Sequence, residues 1–295
     1  MVLLFSPFFL GVITRVKAFF GGRVGPSVFQ PYFDLAKLFQ KKCVYSHTTT
    51  WIFRAAPIVV FASVLAVSLM IPFGAFKAPV RFSGDIFLVA YLFGLARFFM
   101  IVAALDTGSS FEGMGASREA FFSCLSELTI FMNFVTLVLV AHQISLSGMI
   151  GAEIPLSWKL MGPTLLLVVS SFFIVILAEN CRIPVDDPST HLELTMIHEV
   201  MILDHSGVDL AYMLYGAAAK LFLFGGILVP ILLPIHTGHG LMDTLIFVVG
   251  MLGIAIFIGL VESGMARLRL NRVTNLLLIA FALAFFGFIV RLWRG

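Results

Sequence analysis

Residues 160–179 read LMGPTLLLVVSSFFIVILAE, an apolar run whose single charged side chain, Glu179, comes at its end. A helix of this length rises about 30 Å, which is the thickness of the hydrocarbon core of a bilayer. Inside lipid every backbone N–H and C=O group must be satisfied, and the run lacks the alternating pattern of a membrane barrel strand. The run therefore predicts a transmembrane helix.

Seven further stretches have the same character. The eight predicted spans are residues 2–20, 51–73, 86–105, 121–143, 160–179, 210–233, 241–262 and 273–293. The loops on one side of the membrane are residues 21–50, 106–120, 180–209 and 263–272. Because 60% of the residues are hydrophobic and only 12% are charged, the chain cannot enclose its apolar surface in a polar shell. The sequence predicts an all-α integral membrane protein with about eight transmembrane helices and a single membrane domain over residues 1–295.

Lysine and arginine are divided unevenly between the two sides. The loops after the odd-numbered spans and the adjoining span ends contain Arg15, Lys17, Arg23, Lys37, Lys41, Lys42, Arg54, Arg118, Arg182, Arg267, Arg269 and Arg272. The opposite side contains Lys77, Arg81, Lys159, Arg291 and Arg294. Since cytoplasmic loops are enriched in Lys and Arg, the richer side is predicted to be cytoplasmic and both termini to lie outside. A net charge of only +3 gives no reason to expect a nucleic-acid partner.

The first cytoplasmic loop contains a short amphipathic segment, PYFDLAKLFQKK at residues 31–42. At helical spacing its apolar side chains form one stripe, made of Tyr32, Leu35, Leu38 and Phe39. The charged side chains surround that stripe and are Asp34, Lys37, Lys41 and Lys42. Such a segment is typical of a helix that lies along the membrane interface.

Ionisable residues within the predicted spans are candidates for function, because a charge in lipid is costly. Arg97, Glu127 and Lys220 lie inside spans, and Glu179 and Glu262 lie at cytoplasmic span ends. The guanidinium keeps its proton and is expected to be a fixed counter-charge, whereas a desolvated Lys or Glu can titrate and relay protons. The alternatives are a buried ion pair that only fixes helix register and, for the two span-end glutamates, an ordinary interfacial carboxylate.

No metal site is predicted. His191, His198 and His205 are spaced by seven residues, so on a helix they would share a face but stand roughly 10 Å apart. The zinc motif HExxH fails because Ile202 occupies the position of its second histidine. The loop histidines are expected to pair with nearby acids instead, the candidates being Asp186, Asp187, Glu193 and Glu199. The cysteines, at positions 43, 124 and 181, are too far apart to suggest a zinc or iron–sulfur motif.

Several segments together resemble one superfamily. RVGP at residues 23–26, QPYFDLAKL at 30–38 and AENCRIPVD at 178–186 are similar to the patterns of the H-type membrane subunits of respiratory complex I. Within that superfamily, four segments resemble the membrane subunits of energy-converting group 4 nickel–iron hydrogenases and formate hydrogenlyases. These segments are ARFF at 96–99, LDTGSSFEGMGASRE at 105–119, RIPVDDPSTHLELTMIHE at 182–199 and DHSG at 204–207.

The resemblance implies a membrane-anchoring, proton-coupling subunit of an ion-translocating hydrogenase complex in a prokaryotic inner membrane. The expected partners are lipid, the hydrogenase large and small subunits, an iron–sulfur subunit and antiporter-like membrane subunits. These partners would hold the nickel–iron centre and the iron–sulfur clusters, with no cofactor bound by this chain. The expected proton or coupling groups are Glu127, Glu179, Lys220 and Glu262, with Arg97 as their counter-charge. The expected cytoplasmic junction contains Arg23, Asp34, Lys37, Arg182, Asp186, Asp187, His191, Glu193, Glu199 and Asp204.

Two alternatives remain open from the sequence. One is a quinone-binding H-type subunit of a complex I-like oxidoreductase, with its pocket under residues 180–209. Respiratory subunits of this type usually carry several acids in this region, whereas here Ser189 and His191 stand among them and Glu193 keeps an acid. The other is a free-standing carrier, for which the paired half-repeats of transporters are missing. The sequence is compatible with proton or sodium as the pumped ion and with formate, ferredoxin or carbon monoxide as the electron donor.

Overall fold

The computed structural model describes residues 1–150, 153–187, 196–235 and 237–294. Within these ranges the chain is nearly all helical, and eight helices are long and apolar enough to cross a membrane. The helices are α1 (Val2–Phe20), α2 (Gln30–Phe39), α3 (Trp51–Ser68), α4 (Asp85–Asp106), α5 (Ser110–Ala141), α6 (Leu146–Met149), α7 (Glu153–Glu179), α8 (Gly207–Leu232), α9 (Gly240–Gly264) and α10 (Leu270–Arg294). The predicted all-α, multi-pass membrane fold is confirmed. Two predicted junction residues, His191 and Glu193, lie outside the described ranges.

The α5 helix begins earlier than the sequence predicts. Residues 106–120 are predicted to be a loop, but only Thr107–Ser109 separate α4 from α5. Gly108 provides the break with a φ of +72°, and α5 then runs through Gly113 and Gly115. A Cβ atom on Gly115 would lie 2.2 Å from Val200, so this glycine allows residues 197–201 to pack on the helix. Gly115 therefore serves tertiary packing, and neither glycine ends the helix.

The α7 helix also begins earlier, at Glu153, and it is bent. Met161 has non-helical dihedral angles, φ −129° and ψ 31°, two residues before Pro163. Proline lacks an N–H group and clashes with the preceding turn, which accounts for the bend. The indole of Trp158 donates a hydrogen bond of 2.7 Å to the carbonyl of Ile231 and so fixes this end of α7 against α8.

The α8 helix is the most buried of the spans, and it contacts α1, α2, α3, α7 and α9. Its Phe224 ring stacks on Phe93 of α4, with centroids 4.9 Å apart, and also contacts Phe172 of α7 at 6.0 Å. A second group of helices, α5, α7 and α10, packs beside it. Ionisable residues on α8 are consequently surrounded by other helices rather than by lipid.

The predicted amphipathic helix is present as α2, and its apolar stripe packs on α1 and α8. The Phe39 ring meets Tyr212 of α8 with centroids 5.6 Å apart, and the Tyr32 hydroxyl donates to the carbonyl of Leu4. The chain entering α2 lies close to α1 because Gly11 has no side chain. A Cβ atom there would be 1.9 Å from the carbonyl oxygen of Val28.

Candidate functional site

Five ionisable side chains from four helices form a buried network. Arg97 of α4 binds Glu127 of α5 through Nη1 and Glu179 of α7 through Nη2. Its Nε lies 3.6 Å from Oε1 of Glu119, also on α5. The ammonium of Lys220, on α8, lies 2.9 Å from Oε2 of Glu179. Two cations are thus surrounded by three carboxylates, and we call these five residues the Arg97 network.

Glu179 is the most constrained carboxylate of the Arg97 network. Besides Arg97 and Lys220, it accepts a hydrogen bond at Oε1 from the hydroxyl of Ser126. Lys220 also donates to the backbone carbonyl of Glu179 at 2.8 Å, which anchors the last residue of α7. Because a guanidinium keeps its proton, Arg97 is a fixed cation beside the ion pair of Glu179 and Lys220.

The Arg97 network extends from the interior to the outer surface of the helix bundle. The side chains of Arg97 and Glu179 are 5% and 1% exposed, whereas that of Glu127 is 44% exposed between α4 and α5. Gly94 of α4 lies beside that carboxylate, and a Cβ atom there would be in ordinary contact with Oε1 of Glu127 at 3.7 Å. One end of the network is therefore sealed among helices, and the other is available to a neighbouring molecule or to lipid.

A cavity of about 430 Å³ lies between α1, α2 and α8. Much of its wall is apolar, with Leu35 and Leu38 from α2 and Leu214 and Leu221 from α8. Its polar wall residues are Thr14, Lys17, Ser27, Gln30, Asp34, Asn180, Arg182, Asp186, His198, Glu199 and Glu262. The cavity thus combines an apolar chamber with a charged wall contributed by the predicted cytoplasmic segments.

Glu262 belongs to this cavity and not to the Arg97 network. Its Oε1 lies 3.3 Å from Arg182, and its Oε2 lies 3.8 Å from Lys17. Lys17 is also 3.3 Å from Asp187, and Arg267 binds Asp186 at 2.8 Å. These ion pairs connect residues 182–187 to the C-terminal end of α1, to the C-terminal end of α9 and to the segment that follows α9.

Burial changes the acidity of groups in the cavity wall. It raises the pKa of Glu199 to about 7, with the nearby Asp186 and Asp187 acting in the same direction. Burial also raises the pKa of Asp186, against the opposing effect of Arg267. It lowers the pKa of His198 to about 4, with Lys220 acting in the same direction. Near neutral pH, Glu199 can therefore exchange a proton while His198 stays neutral.

A second cavity, of about 50 Å³, links the large cavity to the Arg97 network. The two share Asn180, His198 and Ala217 in their walls. The smaller one is also lined by Arg97, Glu179 and Lys220. The polar wall beginning at Glu199 consequently continues to Glu179.

Other predicted site residues lie outside the Arg97 network and outside both cavities. Arg23 and Lys37 are exposed and line neither cavity. Asp204 is exposed, and its backbone N–H donates to Oε1 of the buried Glu112 at 3.1 Å. The sequence predicts these residues at a cytoplasmic junction, which remains a prediction.

The described histidines do not pair with acids in the way expected. The ring of His205 stacks on Phe53, with centroids 3.9 Å apart, and its two ring nitrogens have no hydrogen-bond partner among the residues that the structure describes. Burial lowers its pKa to about 4, so the ring is neutral at neutral pH. His198 precedes a short 3₁₀ turn, Glu199–Ile202. Since no continuous α-helix joins His198 to His205, their seven-residue spacing does not place them on one helix face.

Sequence reasoning missed Glu119 and Ser126. A helix that begins at residue 121, as the sequence predicts, leaves Glu119 in a loop and gives Ser126 no charged neighbour. In the structure the helix begins at Ser110 and includes all three residues. Ser126 and Glu127 follow Glu119 by seven and eight residues, so the three lie on nearly the same face. The spacing of these residues indicates the shared face, but only if the helix is known to begin before Glu119.

Within the described ranges, no three or more His, Cys, Asp or Glu side chains are grouped so that they could hold a metal ion. The ionisable groups found here are arranged instead as ion pairs around a cavity. Groups arranged in this way can respond to a nearby charge.

Known proteins resemble this chain along nearly its full length. Formate hydrogenlyase subunit 4 of Escherichia coli (strain K12) is 30% identical over 296 residues, covering 96% of this chain and 93% of that protein. Hydrogenase-4 component C of the same organism is 28% identical, covering 96% and 90%. The H-type subunit of NADH-quinone oxidoreductase from Anaplasma phagocytophilum (strain HZ) is 28% identical over 240 residues, covering 74% and 69%.

The fold also has a solved counterpart. A chain in the structure of the membrane-bound sulfane sulfur reductase, an archaeal respiratory membrane complex, superposes with a TM-score of 0.85 at 21% identity and covers 98% of this chain and 95% of that chain. The family model described as NADH dehydrogenase matches residues 1–292. Because that match spans almost the whole sequence, this chain belongs to the NADH dehydrogenase family.

Proposed function

We propose that this chain is the membrane-anchoring, proton-coupling subunit of an ion-translocating hydrogenase complex. The observation that carries the proposal is the continuous polar wall from Glu199 through His198 to Glu179 and Lys220. The likeness to formate hydrogenlyase subunit 4 and hydrogenase-4 component C supports the hydrogenase assignment. In this proposal the nickel–iron centre and iron–sulfur clusters belong to partner chains.

The cytoplasmic side would receive the electron-carrying partners. Hydrogenase large and small subunits and an iron–sulfur subunit would dock on the charged segments around Arg182, Asp186 and Asp187. The exposed Arg23, Lys37 and Asp204 would contribute to the same junction, as would His191 and Glu193. In this arrangement both termini lie outside a prokaryotic inner membrane, in agreement with the distribution of Lys and Arg.

Coupling would begin with a change of charge in a docked partner. Two unit charges about 4 Å apart interact by roughly 4 kcal/mol at an effective dielectric constant of 20, which corresponds to a few pKa units. Glu199 and Glu262, in the cavity wall, are the first groups to respond. A proton taken up there would pass His198 and reach the pair of Glu179 and Lys220, where Arg97 supplies a fixed positive charge.

Glu127 would connect this subunit to its neighbours in the membrane. Its carboxylate binds Arg97 and is partly exposed on the surface of α4 and α5. Apolar side chains are also exposed on these helices, among them Leu95 and Leu128. A carboxylate facing lipid is unfavourable, so an antiporter-like membrane subunit covering this face would supply a polar partner.

The test is Glu179→Gln in the assembled complex, reconstituted in vesicles. Glutamine keeps the shape of the side chain and removes the exchangeable proton. We expect ion translocation per hydrogen turned over to fall at least tenfold. Lys77→Gln, an exposed charge outside the site, is the matched control and should translocate like the wild type. Unchanged translocation in Glu179→Gln would remove this residue from the pathway.

A second candidate function is quinone binding, which the mostly apolar cavity of about 430 Å³ favours. Turnover that depends on added quinone would support it. Leu35→Trp, which reduces the cavity volume, would then raise the quinone concentration needed for half-maximal turnover. A purified complex that contains no quinone and turns over without it would argue against this function.

A further inference from the structure

A row of polar side chains leads away from Glu179 along α5. It contains Ser126, Thr129, Asn133 and Thr136, each 2% exposed or less. Their spacing of three and four residues places them on one face of the helix. From Ser126 to Thr136 the helix rises about 15 Å, which is half the hydrocarbon core of a bilayer. The row therefore extends the surroundings of Glu179 deep into the membrane.

This face of α5 is turned toward α7 and α10. The side-chain amide of Asn133 donates to Ser171 of α7 at 3.0 Å, and the Ser171 hydroxyl donates to the carbonyl of Ala280 of α10 at 2.7 Å. Thr164 lies two turns from Ser171 on α7 and is also fully buried. We call Ser126, Thr129, Asn133, Thr136, Thr164 and Ser171 the polar seam.

Two atoms of the polar seam have no hydrogen-bond partner among the described residues. Asn133 Oδ1 and Thr164 Oγ1 belong to side chains with no exposed surface, and neither makes a hydrogen bond within the described part of the chain. Thr129 and Thr136 donate to the carbonyls of Leu125 and Met132, which leaves their oxygens able to accept a further bond. Buried polar atoms are nearly always bonded, and ordered water supplies the partner when protein does not.

Helix packing alone does not explain this arrangement. Ser, Thr and Asn often join membrane helices, but they do so by bonding across the interface. The bond from Asn133 to Ser171 fits that role, whereas Oδ1 of the same amide and Oγ1 of Thr164 contribute nothing to it. These unpartnered atoms point to a hydrated interior between α5, α7 and α10.

We propose that the polar seam holds ordered water and conducts protons between Glu179 and the far side of the membrane. This rests on the proposed function of Glu179. In the structure the Ser126 hydroxyl donates to the Glu179 carboxylate. When Glu179 carries a proton, this hydroxyl turns to accept it and releases its own proton to the next member of the chain, leaving a carboxylate beside Arg97 and Lys220. Each water or hydroxyl in the chain accepts one proton on one side and releases one on the other. No oxidant or reductant is needed, and one proton leaves at the far end for each that enters.

The experiment uses the assembled complex in inverted membrane vesicles, with hydrogen turnover and proton translocation measured together. Asn133→Leu preserves the approximate volume and removes the amide. We expect protons translocated per hydrogen to fall at least tenfold, while turnover with a protonophore stays within twofold of wild type. Asn133→Ser, which restores a hydroxyl and leaves room for water, should recover most of the translocation. Ser63→Ala, a buried hydroxyl on α3 outside the polar seam, is the matched control.

Thr164→Val keeps the shape of the side chain and removes its hydroxyl, and it provides the test if Asn133→Leu does not assemble. We expect it to lower the number of protons translocated per hydrogen at least threefold. If the assembled Asn133→Leu complex translocates protons like the wild type, the proposal is overturned. If Asn133→Leu does not assemble, wild-type translocation in Thr164→Val overturns it. Glu179→Gln, measured in parallel, separates the two ideas. If it abolishes translocation while Asn133→Leu and Thr164→Val do not, the polar seam is excluded and the coupling role of Glu179 stands.

Discussion

The Lys220 ammonium lies 2.9 Å from Oε2 of Glu179 and 2.8 Å from the backbone carbonyl of the same residue. The lysine therefore binds both the side chain and the end of the helix that presents it. A change in the charge of either group would alter the position of the C-terminal end of α7 as well as the local field. The chain continues from this point into residues 180–187, which form part of the large cavity, so the two candidate features are mechanically connected.

Removing the Arg97 guanidinium should destabilise the fold strongly. Arg97→Met leaves Glu119 and Glu179 buried beside only one cation, and losing one partner of a buried ion pair costs about 3–5 kcal/mol. We expect a clear fall in the thermal unfolding midpoint of the purified complex. Combining Arg97→Met with Glu119→Gln should recover part of that loss. A midpoint equal to that of the wild type would contradict a central role for this guanidinium.

Glu199 should make stability depend on pH. Its pKa is about 7 in the folded chain, against an ordinary value of 4.5, because burial favours the neutral carboxyl. Between these values the folded state keeps a proton that the unfolded state releases, so stability falls as pH rises from about 4.5 to 7 and then levels off. Glu199→Gln stays neutral and should lack this component. Thermal unfolding measured at several pH values for both proteins would reveal it, and parallel curves would contradict it.

The close approach of residues 25–29 to α1 should not tolerate a side chain at Gly11. In Gly11→Ala the new Cβ atom would stand 1.9 Å from the carbonyl oxygen of Val28, a backbone atom that cannot rotate away. We expect α2 to be displaced and the complex to lose coupled translocation and become sensitive to proteolysis in this segment. Gly253→Ala, in α9, is the control because nothing lies within 4 Å of its Cβ position. Equal behaviour of the two variants would argue against this packing.

Cysteine labelling should report the orientation of the chain. Cys43 is partly exposed in the segment between α2 and α3, while Cys181 is buried. In a variant with Ser at positions 124 and 181, a membrane-impermeant maleimide should label Cys43 in inverted vesicles and not in intact cells. The opposite pattern would place the basic loops outside and reverse the predicted topology.

The number and character of the spans could be predicted from sequence because each depends only on a local run of apolar residues. Arg97, Glu127 and Lys220 were identifiable for a related reason, since a charge within such a run is costly wherever its partner lies. The sequence also predicted α2, whose stripe from Tyr32 to Phe39 follows helical spacing.

Which ionisable side chains pair with one another was decided only by the tertiary structure. Glu262, which the sequence grouped with Glu179, pairs with Arg182 and Lys17 in the cavity wall. Glu119 lies beside Arg97 because α5 continues through Gly113 and Gly115, and Gly115 packs against residues 197–201. Hydropathy identifies a segment from its own residues, whereas an ion pair between helices more than eighty residues apart depends on how those helices pack together.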